Sequence, residues 1–80
     1  MPSNEQKLIQ VFSDALDLDK SIIEDKLEYN TIPEWDSIGH MTLIAAIDDS
    51  FDIMLETDDI IDMSTFAKAK KIISKHGIEF

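Results

Sequence analysis

The sequence contains no cysteine and no arginine among its 80 residues. The absence of cysteine excludes disulfide bonds, thiolate nucleophiles and cysteine-ligated zinc sites, so packing alone has to hold the fold together. Only seven lysines balance 17 acidic residues, which gives a net charge of −10 with both histidines neutral. Binding to a polyanion requires clustered cations, so this composition disfavours nucleic acid and predicts partners with basic surfaces.

No stretch of the sequence approaches the roughly 18 apolar residues of a membrane span, and no basic segment followed by an apolar run opens the chain. We therefore expect no membrane span, no secretory signal and a cytoplasmic location. The chain has 44% hydrophobic and 30% charged residues, which is typical of a folded domain, and its length predicts one domain over 1–80. The sequence lacks long coiled-coil heptads, so a monomer is expected.

Helical spacing of apolar residues predicts an all-α fold. Ser3 and Gln6 have the spacing of a capping box, which marks the start of a first helix. One apolar stripe follows at intervals of three and four residues: Leu8, Ile9, Val11, Phe12, Ala15 and Leu16. This helix is expected to end near Asp17 or Leu18.

Residues 19–36 lose this periodicity, and Asn30, Thr31 and Pro33 interrupt the segment. Connections longer than about 12 to 15 residues are uncommon in compact domains unless they pack as ordered loops or serve a function. We therefore predict a long ordered loop. Four aliphatic residues of this loop are expected in the core: Ile22, Ile23, Leu27 and Ile32.

The strongest helical pattern begins at Asp36 and Ser37 and predicts the second helix. Its inward face is predicted from one set of spacings: Met41, Ile44, Ile47 and Phe51. Its outward face is predicted from another: Ile38, Thr42, Ala45 and Asp49. Two members of the outward face are apolar where solvent favours polar groups, so this face is expected to meet a partner.

Two more helices are predicted in the C-terminal third of the chain. Acidic residues followed by apolar ones suit a helix start, so a short third helix is predicted at 58–63. Ser64 is expected to cap the final helix, and His76 and Gly77 to close it. The inward residues of that helix are Phe66, Ala69, Ile72 and Ile73. The whole pattern predicts a small four-helix bundle with a long loop between helices 1 and 2 and a short helix 3.

Ser37 is the candidate for chemistry, although an Asp-Ser pair before an apolar helix is fully explained by helix capping. The position has a second property. A phosphate ester on a hydroxyl at a helix N-terminus lies against unsatisfied N–H groups and the positive end of the helix dipole, which favour its negative charge.

The segment 34–41, Glu-Trp-Asp-Ser-Ile-Gly-His-Met, resembles the Asp-Ser-Leu attachment motif of the acyl carrier protein family. Residues 43–53 are similar to the second helix of that family, which ends in acidic residues, a phenylalanine and a short loop. The predicted order of helices matches the family over nearly all of the 80 residues.

This resemblance implies a non-catalytic carrier in fatty acid, lipid or secondary-metabolite biosynthesis. A phosphopantetheinyl transferase would use coenzyme A and magnesium to attach 4′-phosphopantetheine to Ser37, and Asp36 would help to position this serine. The thiol of the arm would hold acyl groups as thioesters, and the acyl chain would retreat between the helices. Acyl-activating, condensing and acyltransferase enzymes would present basic patches to the docking face, whose residues are Ile38, Thr42, Ala45 and Asp49.

Trp35 and His40 flank the attachment motif and are candidates for the rim of an acyl cavity. His40 shares its helical stripe with the inward residues of the second helix, so it is expected at the edge of the core near Ser37. If it borders an acyl cavity, its positive charge below neutral pH would oppose the entry of an apolar chain. Trp35 is expected to pack as a lid beside the helix start, with a recognition role as the alternative.

The motif departs from the family pattern at Gly39 and Thr42, where members that serve fatty acid synthesis often carry acids. The departure indicates different partners and a specialised stand-alone member. A glycine near a helix start costs up to about 1 kcal/mol relative to alanine. The close approach of a partner or of the arm would explain such a glycine.

Two other binding functions stay open at this point. One is an unmodified acidic helical module that docks onto proteins through its second helix. The other is an aminoacyl or peptidyl carrier with the same attachment serine.

A hydrolase and a calcium-binding loop are disfavoured. A triad of Ser37, His40 and Asp36 or Asp48 would lack a nucleophile elbow and a glycine-rich oxyanion loop, in a chain too short to enclose a substrate. A calcium loop that begins at Asp17 would need glycine at its sixth position, where the sequence has isoleucine.

Overall fold

The computed structural model describes residues 3–80 and contains the predicted all-α bundle. Its helices are α1 (Asn4–Leu16), α2 (Ser37–Phe51), α3 (Thr57–Asp62) and α4 (Phe66–Ser74). The long connection between α1 and α2 is confirmed, and it contains one 3₁₀ turn, Lys20–Ile22. None of the helices within residues 3–80 has the length and apolar character needed to cross a lipid bilayer.

The start of α1 is held by the predicted capping box. The Ser3 hydroxyl oxygen accepts a hydrogen bond from the Gln6 N–H (3.2 Å), and the Gln6 side-chain oxygen accepts one from the Ser3 N–H (3.3 Å). The helix ends where Asp17 adopts a left-handed conformation with φ of 56°. The predicted apolar stripe faces inward, with four residues buried and two half-buried: Leu8, Val11, Phe12, Leu16, Ile9 and Ala15.

Aromatic rings form the centre of the core. Phe12 of α1 contacts Trp35 and Phe66 edge-on, with ring centroids 5.3 and 5.0 Å apart. All three rings are buried, and Leu43 and Ile47 of α2 pack in the same cluster. Since Trp35 belongs to the long connection, the segment that leads to Ser37 is anchored in the centre of the bundle.

The inward face of α2 differs from the predicted one at two positions. Met41 is 58% exposed, whereas Leu43 is fully buried. Successive residues are rotated by roughly 100° around a helix, so the face that carries His40, Ile44 and Ile47 leaves Met41 to one side. The prediction that Met41 belongs to the core is therefore wrong.

The long connection supplies three of the four predicted aliphatic residues to the core. Ile23 and Leu27 are buried and Ile32 is half-buried, but Ile22 is 43% exposed. Ile22 is the last residue of the 3₁₀ turn, and Ile23 follows it directly, so the two side chains point in different directions. Only Ile23 can face the core from this turn.

The predicted cap of α4 at Ser64 is wrong by one residue. Thr65 is the cap, and its hydroxyl oxygen accepts a hydrogen bond from the Lys68 N–H (3.0 Å). The preceding backbone is engaged by the long connection: the Ser64 carbonyl accepts from the Tyr29 N–H (2.8 Å). Because the backbone pairs with residues 27–29 here, α4 begins one residue later than predicted. His76 and Gly77 lie just beyond the end of the helix, close to the predicted end.

Helix α3 is too short to be stable by itself, and a buried carboxylate ties it to the end of α4. Asp59 accepts hydrogen bonds from Lys75 Nζ (3.0 Å) and His76 Nε2 (3.1 Å). These two donors, led by His76, lower the pKa of Asp59 below its usual value. The negative charge on Asp59 therefore stabilises the position of α3.

Acid is expected to weaken this attachment. Because the pKa of Asp59 is lower in the folded protein than in the unfolded chain, its contribution is present above the unfolded value of about 3.9 and is lost as pH falls through the folded pKa. At neutral pH, Asp59→Asn should lower the free energy of unfolding by about 1 kcal/mol, since Lys75 is mostly exposed. Urea denaturation at a series of pH values from 7 to 3 should show that the difference in the free energy of unfolding between Asp59→Asn and the parent becomes smaller as the pH falls.

The matched control for this prediction is Asp62→Asn, which removes an exposed carboxylate from the same helix. It should leave stability within about 0.5 kcal/mol of the parent. An Asp59→Asn protein with the same stability as the Asp62→Asn protein at pH 7 would contradict the proposed role of the Asp59 carboxylate.

Candidate functional site

Ser37 is exposed at the first residue of α2, next to the residue that caps the helix. The cap is Asp36: its side-chain oxygen accepts a hydrogen bond from the Gly39 N–H (2.8 Å), and its carbonyl accepts one from the His40 N–H (2.8 Å). Capping therefore explains Asp36 but does not explain Ser37. The Ser37 hydroxyl makes a different contact.

The hydroxyl of Ser37 lies 3.0 Å from the hydroxyl of Tyr29, and either group can donate the hydrogen bond. The Tyr29 ring is fixed by edge-on contacts with Trp35 and His40, at centroid distances of 6.1 and 5.1 Å. Its backbone N–H is bound to the Ser64 carbonyl. These contacts fix the position of Tyr29, and its hydroxyl in turn fixes the position of the Ser37 side chain.

Tyr29 is not among the candidate residues that the sequence pattern predicts. It lies eight residues before Ser37, in a connection without helical periodicity, and its contact with the serine depends on tertiary structure. Two sequence features single out Tyr29, and both are weak: it is the only tyrosine in the chain, and it falls in a long connection without helical periodicity.

A chain of hydrogen bonds, hereafter the His40 bridge, joins the long connection to α2 and α3. The Trp35 indole N–H donates to His40 Nδ1 (2.9 Å), and His40 Nε2 lies 2.8 Å from the Ile60 carbonyl oxygen. An indole N–H can only donate and a carbonyl can only accept. In this arrangement His40 Nδ1 accepts from the indole and Nε2 donates to the carbonyl.

A groove of about 310 Å³ opens beside Ser37, between α2 and α3. Met41, Ile60 and Ile61 give it apolar surface, and Tyr29 and His40 contribute polar groups. His40 is among the residues that line the groove. Trp35 does not line it, because it is fully buried. The groove edge also explains why Met41 lies outside the core.

The predicted docking face of α2 points to solvent. Ile38 is 79% exposed, and Thr42, Ala45 and Asp49 are exposed as well. The Thr42 hydroxyl donates to the Ile38 carbonyl of its own helix (3.2 Å), so this donor is already used within α2. The face is therefore largely apolar, with the acidic Asp49 at one end. A large exposed aliphatic side chain next to Ser37 is the feature of this face that solvent disfavours.

Gly39 is explained by a contact within the chain. A Cβ atom at this position would overlap with the Glu34 carbonyl oxygen and would lie 3.1 Å from Leu16 Cδ2. The loop before Ser37 therefore passes directly against the first turn of α2. The contact with Glu34 accounts for this glycine, so the expected close approach of a partner or of the arm is not needed to explain it.

The residues considered for a triad do not assemble into one. Both ring nitrogens of His40 are engaged, by Trp35 and by Ile60, so the imidazole is not available as a base for Ser37. Within residues 3–80 there is also no group of three or more acidic or histidine side chains placed to hold a metal ion.

The chain was compared with protein-family models, with curated protein sequences and with solved structures, and none of the three comparisons gives a match.

The residues around Ser37 fit a covalently attached phosphodiester. The serine is exposed and begins a helix of 15 residues, so the positive end of a full helix dipole faces it. The Tyr29 hydroxyl, 3.0 Å from the point of attachment, is a ready donor to a phosphate oxygen. The adjacent groove offers apolar and polar surface to a flexible arm.

Proposed function

We propose that this protein is an acyl carrier, in which Ser37 bears 4′-phosphopantetheine and the thiol of that arm holds acyl groups as thioesters. The observation that carries the proposal is the division of roles at the start of α2. Asp36 caps the helix, while the Ser37 hydroxyl stays exposed, hydrogen-bonded to Tyr29 and accessible to a modifying enzyme. The resemblance of segment 34–41 to the acyl carrier attachment motif supports the same function.

Loading requires a nucleophilic hydroxyl at a defined position. The Ser37 oxygen forms a new bond to the phosphorus of the 4′-phosphopantetheine group of coenzyme A, the bond to the remainder of coenzyme A breaks, and the hydroxyl proton leaves to a base of the transferase. Tyr29 orients the hydroxyl before the reaction, and its O–H is then placed to donate to the phosphodiester. The carrier itself supplies position rather than catalysis.

Docking is the second part of the proposal. A net charge of −10 attracts enzymes with basic patches and repels polyanions. The exposed Ile38 lies directly after the attachment serine, so a partner that covers it also reaches the arm. The same exposed face would serve an unmodified docking module, which is the second candidate function.

The test of the carrier function is the intact mass of the protein before and after incubation with coenzyme A, magnesium and a broad-specificity phosphopantetheinyl transferase. The parent should gain the mass of one phosphopantetheine group, and Ser37→Ala should gain none. Because Asp36 provides the cap, Ser37→Ala should also stay within about 0.5 kcal/mol of the parent in stability.

Ser74→Ala is the control, since it removes another exposed serine far along the chain and should load like the parent. A parent that gains no mass under conditions that modify a known carrier would contradict the carrier function and favour the unmodified docking module.

A further inference from the structure

The His40 bridge lies where an acyl chain would have to enter the bundle from Ser37. His40 and Ser37 border the same groove, and the bridge crosses from α2 to the backbone of α3 at Ile60. A chain that retreats between these two helices must therefore pass the imidazole.

The space behind the imidazole is already filled. Trp35 is fully buried there, in edge-on contact with Phe12 at 5.3 Å and with Tyr29 at 6.1 Å. Protein interiors are packed to the density of organic crystals, so a second occupant requires the displacement of a side chain. The side chain between Trp35 and the groove is His40.

Displacing His40 with a hydrocarbon leaves two polar groups without partners. The Trp35 indole N–H would lose its acceptor and the Ile60 carbonyl would lose its donor, and an aliphatic chain supplies neither. In the described part of the chain, every buried side-chain nitrogen or oxygen has a hydrogen-bond partner. The penalty therefore falls on apolar cargo in particular.

We propose that the His40 bridge closes the interior to long aliphatic chains, so that this carrier holds short or polar acyl groups, including aminoacyl groups, outside the core. The inference rests on the proposed carrier function and specifies its cargo. The groove beside Ser37 suits such cargo, because the hydroxyl-bearing residues Tyr29 and Ser64 line it together with Met41 and Ile61.

In the experiment, the broad-specificity phosphopantetheinyl transferase loads the parent protein from acetyl-coenzyme A, from aminoacyl-coenzyme A or from dodecanoyl-coenzyme A in the presence of magnesium. Intact mass verifies that each form is loaded. Trp35 is the only tryptophan, so its indole N–H gives a single signal in a nitrogen–proton correlation spectrum. In all three loaded forms the indole signal should keep its chemical shift, and the indole proton should exchange slowly with solvent. The melting temperatures of the three forms should differ by less than about 2 °C.

His40→Leu removes the bridge and should make the protein sensitive to chain length. We expect the dodecanoyl form of this variant to melt at least about 4 °C above its acetyl form. The matched control is His76→Leu, which removes the other histidine and its hydrogen bond to Asp59 but leaves the bridge intact. It should respond to chain length like the parent.

The outcomes separate the two proposals. Failure of all three donors to load the parent would overturn the carrier function and this inference with it. A loaded parent that is strongly stabilised by the dodecanoyl chain, or that loses indole protection with it, would overturn the inference and leave the carrier function standing. This comparison uses the parent alone, so it holds even if His40→Leu fails to fold.

Discussion

Replacing Trp35 with alanine is expected to lower the free energy of unfolding by about 3 to 5 kcal/mol, because a large, fully buried ring is removed from the centre of the core. The loss also leaves His40 without its indole partner. Small domains have total stabilities of only about 5 to 15 kcal/mol, so the variant should be partly unfolded at 37 °C. Urea denaturation followed by far-ultraviolet circular dichroism measures this effect without relying on tryptophan fluorescence.

Two comparison variants separate the causes of this loss. Trp35→Phe keeps an aromatic ring against Phe12 and removes the indole N–H, so it should cost less than the alanine variant. Met54→Ala truncates a side chain that is 80% exposed and should cost no more than about 0.5 kcal/mol. If Trp35→Ala proved as stable as Met54→Ala, the placement of Trp35 in the core would be wrong.

Gly39→Ala is expected to lower the free energy of unfolding by about 1 to 3 kcal/mol, because the added methyl group overlaps with the Glu34 carbonyl oxygen. Helix propensity alone predicts the opposite sign, since alanine is favoured over glycine inside a helix by about 1 kcal/mol. The steric term dominates because the neighbouring atom belongs to the backbone and cannot rotate away. Chemical denaturation of the two proteins gives the sign directly.

The same substitution should slow the loading of Ser37. Moving Glu34 displaces the segment that carries Trp35 and Asp36, and with it the position of the serine. Gly77→Ala is the matched control: the glycine has a φ of 93°, so alanine there is strained, but it lies far from Ser37 in the sequence. At a temperature where both variants are folded, only Gly39→Ala should load more slowly than the parent. A Gly39→Ala protein that is more stable than the parent would contradict the close contact between Gly39 and the Glu34 carbonyl oxygen.

Local sequence signals account for the order of the elements. The capping box at Ser3 and Gln6, the apolar stripe of α1 and the inward face of α4 all depend on residues three or four positions apart, and each is found as predicted. The start of α2 at Asp36 and Ser37 follows from the same kind of signal. Helix boundaries and caps are largely local, which is why the sequence alone predicts them.

Contacts between distant segments decided what the local pattern left open. The pairing of residues 27–29 with the segment before α4 moved its cap from Ser64 to Thr65. Met41 lies at the groove that residues of α2 and α3 line, whereas Leu43 lies in the core, on the side where α1 packs against α2. A stripe of α2 that includes Met41 and a stripe that includes Leu43 both satisfy helical periodicity. Only the position of the neighbouring helices selects which of the two faces the core.

The sequence by itself determined the all-α fold, the long ordered loop and the candidate serine at the start of the second helix. Tertiary structure alone brought the Tyr29 hydroxyl to Ser37, joined Trp35 and His40 to the Ile60 carbonyl, and placed Glu34 against Gly39. The reason is physical: helix formation depends on neighbours within about one turn, whereas a site depends on hydrogen bonds and steric contacts that only the packed chain creates.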